Sequence, residues 1–216
     1  MKNFSHGLDS DKQTRFGLIR HAQTVWNKEK RIQGQLDSAL TDHGKSQAET
    51  WGRLLRKYHW DRCICSDLGR AQTTAAIINK MVKVPLVQEA GLREQDWGQW
   101  SGLTLAQLTQ EKSEHLAEQT RRGWRFHPTG GEDRNSVWER GRRALESAAA
   151  KWPGESILIV THEGVIKCLV YRLLLRRFLP TEARLLKPAH LHLLIARHGR
   201  IAIEEINAQA LNPNMS

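Results

Sequence analysis

The sequence predicts an α/β fold with a mostly parallel, open sheet and helices on both faces. Short apolar stretches typical of buried strands alternate along the chain with stretches in which apolar residues recur every three or four positions. This alternation favours parallel strands covered on both sides by helices. With 216 residues, the chain is long enough to form one domain with a sizeable hydrophobic core.

Six stretches are predicted as strands: 16–20, 62–66, 84–88, 156–161, 191–196 and 201–206. The first two are short apolar runs, as found in strands that are buried on both faces. The last two flank His198 and Gly199 and resemble the arms of a hairpin. The order of the strands in the sheet cannot be derived from these patterns.

Five helices are predicted: 42–58, 68–82, one that begins after Thr104, 136–152 and 163–178. In the first, Ala48, Trp51 and Leu55 share one face, which suits a helix that covers the sheet. Thr104 with Gln107, and Ser136 with Glu139, have the spacing of capping boxes. The last helix is apolar nearly all round, so we expect it to lie deep in the fold.

The helices and strands suggest one domain over residues 15–207, with polar tails at 1–14 and 208–216. Residues 97–131 depart from the alternating pattern and contain a helix followed by an arginine-rich stretch. We interpret this segment as an insert that covers the functional site on the substrate side. No internal repeat is recognisable.

The formal net charge of +10 favours an anionic partner, which could be nucleic acid, a membrane surface or a phosphorylated small molecule. The three cysteines lack the spacing of a metal or redox pair and are expected in buried strands and helices. The sequence has neither a long apolar run nor the features of a signal peptide, so we expect a cytoplasmic protein. Trp51, Trp138 and Trp152 fall on helix faces that suit the core better than nucleic-acid binding.

Five residues that could carry chemistry follow predicted strands: Arg20, His21, Arg70, Glu94 and His162. Each has an ordinary structural explanation when it is taken alone. In an open α/β sheet, however, ligands bind at the carboxyl ends of the strands, so one pocket can collect all five. Phosphoryl transfer needs a nucleophile, fixed positive charge and an acid for the leaving oxygen. This set supplies all three, without a metal or a cofactor.

These residues lie in motifs that together resemble the histidine phosphatase superfamily, whose members are phosphoglycerate mutase-like. The motifs occupy residues 18–27, 31–34, 66–71, 92–102 and 160–166, and the resemblance covers about 16–206. It implies that His21 becomes phosphorylated and that Glu94 is the proton donor. The phosphoryl group would be held by Arg20, Arg70 and His162. The implied substrate contacts are Asn27, Gln33 and Gly34.

The resemblance leaves phosphatase and mutase activities open. The chain is similar to glycolytic mutases at Trp26-Asn27 and at Arg121-Arg122, where paired arginines would bind a substrate carboxylate. It differs from them in having Trp97 in place of a tyrosine, and in having Leu105 near the position at which the mutases have a binding lysine. Its His162-Glu163-Gly164 and Gly130-Gly131-Glu132 motifs look more like those of small-molecule phosphatases. Hydrolysis of phosphomonoesters is therefore the preferred interpretation, with mutase activity as the alternative.

The expected partner is a small phosphorylated metabolite, rather than nucleic acid or a membrane, and the protein could form a homodimer. A non-catalytic phospholigand-binding protein of the same fold is a more remote alternative, since every catalytic residue type is present. The basic residues Arg121, Arg122, Arg125 and His127 could bind a second anionic group of the substrate. They could equally form an exposed basic loop.

Overall fold

A computed structural model describes residues 13–212. The strands are β1 (Thr14–Arg20), β2 (Arg62–Cys65), β3 (Leu86–Gln88), β4 (Ser156–Thr161), β5 (His190–Arg197) and β6 (Arg200–Ala210). The helices are α1 (Val25–Lys28), α2 (Asp42–Leu55), α3 (Gly69–Val82), α4 (Leu105–Arg121), α5 (Arg134–Lys151) and α6 (Glu163–Leu173). All six predicted strands are present. No helix within this part of the chain has the length and apolarity needed to cross a membrane.

The six strands form one sheet in the order β3-β2-β4-β1-β5-β6. The first four strands in that order are parallel, and β5 is antiparallel to both β1 and β6. This confirms the predicted α/β class and the mostly parallel sheet. Because β1, β2, β3 and β4 point the same way, the residues that follow them meet at one edge of the sheet.

Helices pack on both faces of the sheet, as predicted. Alternate residues of β1 point to opposite faces, so Leu18 joins the core under α5 and α6 while Ile19 joins the core under α2 and α3. All three cysteines are buried in these cores, as predicted. Trp51 is also buried, and Trp138 and Trp152 pack at the margin of the first core.

Several helix boundaries differ from the prediction, and α2 ends at Leu55 rather than at residue 58. The side chain of Asp133, not Ser136, caps α5 by accepting a hydrogen bond from the Ser136 backbone N–H. Helix α6 ends at Leu173, five residues before the predicted end. Leu175 and Phe178 have positive φ angles, and Leu175 is 89% exposed. The apolar residues there resembled a continuing buried helix, but the chain turns away from the core.

The carboxyl-terminal boundary was predicted too early. Strand β6 continues to Ala210 because Gln209 and Ala210 still pair with β5, and the next residue, Leu211, is fully buried. At the other end, β1 already includes Thr14, whose buried hydroxyl donates a hydrogen bond to the Trp152 carbonyl. The remaining predicted tail residues, 1–12 and 213–216, lie outside the described residues.

The predicted insert has a small core of its own. Trp100, Leu108 and Phe126 pack against Ile32, which belongs to the loop after α1. Helix α4 begins with the predicted capping box between Thr104 and Gln107. This packing holds the insert against the loop that follows β1 and therefore beside the edge where the strands end.

Candidate active site

A cavity of about 370 Å³ lies at the carboxyl edge of the parallel strands. Four of the predicted catalytic residues line it: Arg20, His21, Arg70 and Glu94. The fifth, His162, is fully buried beside them, and the centroid of its ring lies 5.2 Å from that of His21. The structure therefore brings together all five residues that follow separate strands or their connecting loops.

His21 is held in one tautomer by the backbone carbonyl of the next residue, Ala22. Its Nδ1 lies 2.8 Å from the Ala22 carbonyl oxygen, which can only accept, so the ring proton is on Nδ1. This leaves a lone pair on Nε2, toward which Arg70 donates a hydrogen bond from Nε over 3.3 Å. Burial, followed by the charges of Arg20 and Arg70, lowers the pKa of His21 well below its ordinary value. The free protein thus carries a neutral imidazole with an unprotonated Nε2.

Arg70 is the most tightly held cation of the site. Its side chain is fully buried, and its Nη2 and Nη1 donate hydrogen bonds to the carbonyls of Gly34 and Leu36, both over 2.7 Å. Nη1 also lies 3.2 Å from the carboxylate of Asp37. The loop that follows α1 therefore fixes the guanidinium beside His21.

Within residues 13–212, two buried polar atoms next to His21 have no hydrogen-bond partner: Nε of Arg20 and Nδ1 of His162. Nε2 of His162 lies 2.9 Å from the Ser66 hydroxyl. If this hydroxyl donates to Nε2, the remaining ring proton is on Nδ1. Both unpartnered atoms can then donate to an anion, and an unsatisfied buried donor is costly without one.

Glu94 lies at the amino-terminal end of α6. One carboxylate oxygen accepts from the Gln95 backbone N–H at 2.8 Å, and the other accepts from the Gly164 N–H at 3.3 Å. A Cβ atom on Gly164 would lie 2.2 Å from Oε1 of Glu94. This close approach explains why glycine follows Glu163 in the motif.

Arg140 of α5 was not identified from the sequence, although it fixes the segment that carries Glu94. Its Nη1 donates to the carbonyls of Gly91 and Arg93, and its Nη2 donates to the carbonyl of Glu94 at 3.0 Å. Nε and Nη2 bind the two carboxylate oxygens of Glu132 at 2.8 and 2.9 Å. The Gly-Gly-Glu motif thus supports Glu94 through Arg140.

The predicted substrate contacts divide into two groups. Asn27, Gln33 and Gly34 line the cavity. Arg121 and Arg122, which were also predicted to bind the substrate, do not line it. Both are exposed at the end of α4, where Arg122 pairs with Glu118 one helical turn away. The helix directs them to the outer surface.

The same holds for Arg125 and His127, which are exposed and do not line the cavity. The cavity is instead completed by residues that were not predicted as ligands: Arg31, Arg134, Lys167, Cys168 and Phe178. Trp97 and Leu105 also line it. Arg134 was missed because its neighbours Phe126 and Phe178 are distant in sequence.

The geometry suits transfer of a phosphoryl group. An unprotonated imidazole nitrogen adjoins the guanidinium of Arg70, and the side chains of Arg20 and Glu94 line the same cavity. Fixed donors of this kind stabilise the charge of phosphoryl oxygens without the need to reorganise during reaction.

Comparison with known proteins identifies the family of this chain. The model of the histidine phosphatase superfamily (branch 1) matches residues 16–209. Phosphoglycerate mutase-like protein 4 of Arabidopsis thaliana is 36% identical over 158 residues, which cover 72% of this chain and 69% of the relative. A probable phosphoglycerate mutase of Klebsiella pneumoniae is 36% identical over 166 residues, or 73% of each chain.

Solved structures with a similar fold include YhfR of Bacillus stearothermophilus, with a TM-score of 0.84 and 27% identity over 92% of this chain and 100% of that one. A mycobacterial glucosyl-3-phosphoglycerate phosphatase has a TM-score of 0.79 and 29% identity over 90% of this chain and 99% of that one. The match of the family model over nearly the whole described chain shows that this protein belongs to the histidine phosphatase superfamily.

Proposed function

We propose that this protein is a phosphatase that hydrolyses small phosphomonoesters through a phosphohistidine formed on His21. The observation that carries the proposal is the state of His21. Its Nδ1–H is committed to the Ala22 carbonyl, while the unprotonated Nε2 adjoins the guanidinium of Arg70. A neutral, oriented imidazole beside fixed positive charge is what nucleophilic attack on a phosphate dianion requires.

In the first step, Nε2 of His21 attacks phosphorus and the bond to the ester oxygen breaks. Arg20, Arg70 and His162 donate hydrogen bonds to the phosphoryl oxygens, and the carboxylic acid of Glu94 gives its proton to the leaving oxygen. In the second step, Glu94 accepts a proton from water while the water oxygen attacks phosphorus. This breaks the N–P bond and releases inorganic phosphate, so His21 and Glu94 return to their initial states.

Hydrolysis is preferred over mutase activity because of two residues in the cavity wall. By the resemblance to the mutases, Trp97 takes the place of a tyrosine and Leu105 lies near the position of a binding lysine, so we expect two polar contacts to a phosphoglycerate to be lacking. The curated relatives carry mutase names, whereas one of the structural neighbours is a phosphatase. Mutase activity therefore remains the second candidate.

The two activities are separated by the fate of the phosphate. The protein is incubated with a panel of phosphomonoesters, and inorganic phosphate is measured beside the interconversion of 2- and 3-phosphoglycerate. The proposal expects phosphate release that is lost in His21→Ala. Interconversion of the phosphoglycerates that exceeds phosphate release would favour the mutase.

A further inference from the structure

We infer that Arg134 binds a second anionic group of the substrate, a carboxylate or a further phosphate, and so selects diacidic phosphomonoesters. This inference rests on the proposed function of the same cavity. Arg134 would then bind the second anionic group, a role that was predicted for Arg121 and Arg122, which lie outside the cavity.

The first observation is the charge balance of the cavity. Five cationic side chains line it, and four have a carboxylate partner within ion-pair distance. Those four are Arg20 and Lys167 with Glu163, Arg31 with Glu29, and Arg70 with Asp37. Among residues 13–212, Arg134 has no such partner. The two acidic residues that precede it are committed elsewhere, since Glu132 binds Arg140 and Asp133 caps α5.

The second observation is the rigidity of Arg134. Its guanidinium carbon lies 4.3 Å from the centre of the Phe126 ring and 3.9 Å from that of Phe178. Nη1 donates to the carbonyls of Gly123 and Phe178 at 3.0 and 3.3 Å. The group is therefore clamped before any ligand arrives, so little entropy is lost when it binds one.

These contacts occupy one nitrogen of the guanidinium, and no protein partner is found for Nε or Nη2 in the described chain. Both atoms retain some exposure to solvent, since neither is among the fully buried atoms that lack a partner. Because a planar guanidinium matches a carboxylate or a phosphate, the two nitrogens can serve an anion in the cavity.

Partial burial of a cation without a counter-ion is unfavourable, and desolvation lowers the pKa of the half-buried Arg134 to about 10. A neutral side chain could fill the space between the two rings without this cost. A substrate anion would neutralise the charge, and the cavity extends beyond His21 to reach both Arg134 and Phe178.

The test compares substrates that differ only in the second acid. The three-carbon pair is 3-phosphoglycerate and glycerol 3-phosphate, and the six-carbon pair is 6-phosphogluconate and glucitol 6-phosphate. Glucitol 1,6-bisphosphate separates a second phosphate from a carboxylate. We expect kcat/KM to favour the diacid in at least one pair. This preference should fall about ten- to a hundredfold in Arg134→Met and less in Arg134→Lys.

Arg121→Met and Arg122→Met are the controls and should keep the preference. Equal losses for the acidic and neutral members in Arg134→Met would mean that the residue is only structural and would overturn the inference. The absence of any preference in the wild type would do the same. If no substrate releases phosphate, the proposed function fails. The inference is then judged by calorimetric binding of each pair to His21→Ala, with and without Arg134→Met.

Discussion

Arg70 donates its Nε hydrogen to Nε2 of His21 across 3.3 Å, so a guanidinium covers the nitrogen that would attack phosphorus. The same guanidinium is anchored by the carbonyls of Gly34 and Leu36. A phosphate entering the cavity can accept this Nε hydrogen in place of the imidazole. Arg70 would thus keep Nε2 unprotonated in the free protein and bind the phosphoryl group in the reaction.

Arg70→Lys should lower kcat for phosphate release by about 10²- to 10³-fold, since a donor to the charged oxygens is lost. Lysine retains the charge but cannot make the four directed contacts of the guanidinium, which reach His21, Gly34, Leu36 and Asp37. Steady-state kinetics with a phosphomonoester checks this. A kcat within threefold of wild type would contradict the role.

The loss of hydrolysis rate in Glu94→Gln should depend on the leaving group of the substrate. Removing the general acid should slow the hydrolysis of an alkyl phosphate by about 10²- to 10⁴-fold. Hydrolysis of p-nitrophenyl phosphate should slow much less in its first step, because p-nitrophenoxide leaves without a proton. Rapid-quench measurement of the first turnover tests this, and equal losses with both substrates would argue against Glu94 as the acid.

Arg140→Met should act through the position of Glu94, although Arg140 does not line the cavity. Loss of its bonds to Gly91, Arg93 and Glu94 should lower kcat by about ten- to a hundredfold. The loss should be larger for alkyl phosphates than for p-nitrophenyl phosphate, as in Glu94→Gln. Arg142→Met, on the same helix but paired with Glu139 and Glu146, is the matched control. A uniform loss for both substrates would point to a structural role alone.

Gly164→Ala should lower kcat while it leaves the fold intact, because the added Cβ would meet the Glu94 carboxylate at 2.2 Å. We expect a loss of about ten- to a hundredfold. The control is Gly141→Ala in α5, where the new Cβ would have an ordinary contact of 3.4 Å with Leu169. Kinetic measurements should show a lower activity for Gly164→Ala than for Gly141→Ala, and thermal unfolding should show a similar stability for both. Full activity in Gly164→Ala would show that Glu94 can shift without penalty.

In the free protein, His21 and His162 should remain neutral at pH values just below 6.5, at which a solvent-exposed histidine takes up a proton. Burial is the main cause of the lowered pKa of both, with Arg20 and Arg70 adding to it. In the unfolded chain both imidazoles bind a proton near pH 6.5, whereas in the folded protein they do so only at a lower pH. The contribution of the two neutral rings to the free energy of unfolding is therefore fully present above about pH 6.5. This contribution is lost as the pH falls from about 6.5 toward the folded pKa values, by up to about 1.4 kcal/mol per pH unit for each ring.

Urea unfolding between pH 7.5 and 5 measures this effect, and His21→Asn should reduce the slope of the unfolding free energy with pH. Nuclear magnetic resonance of the His21 ring gives a direct control. An imidazolium signal that appears with a midpoint near pH 6.5 would contradict the neutral state.

The candidate catalytic residues could be assigned to one edge of the sheet from the sequence because each is close in the chain to a strand with a clear apolar pattern. Ile19 and Val160 indicate buried strands, and the parallel arrangement then brings His21 and His162 to one edge. The roles of the catalytic residues stay predictions until they are measured. The supporting residues gave no such signal. Arg140 reaches Glu94 across 46 residues of chain, a contact that no local pattern encodes.

The insert shows the limit of such reasoning most clearly. Arg121 and Arg122 looked like binding residues because they are adjacent and basic, yet α4 continues through Arg121 and places both outside. Arg134 reaches the cavity only because Phe126 and Phe178 pack around it. Aromatic packing between distant parts of the chain holds Arg134 at the cavity, and such packing is not visible in a short sequence window.

The proposed reaction requires a covalent phosphate at His21. The protein is mixed with a phosphomonoester and quenched with alkali within the first turnovers, and its peptides are analysed by mass spectrometry. The account predicts one acid-labile, alkali-stable phosphoryl group on His21, absent from His21→Ala together with turnover. Phosphate on another residue, or normal turnover in His21→Ala, would contradict it.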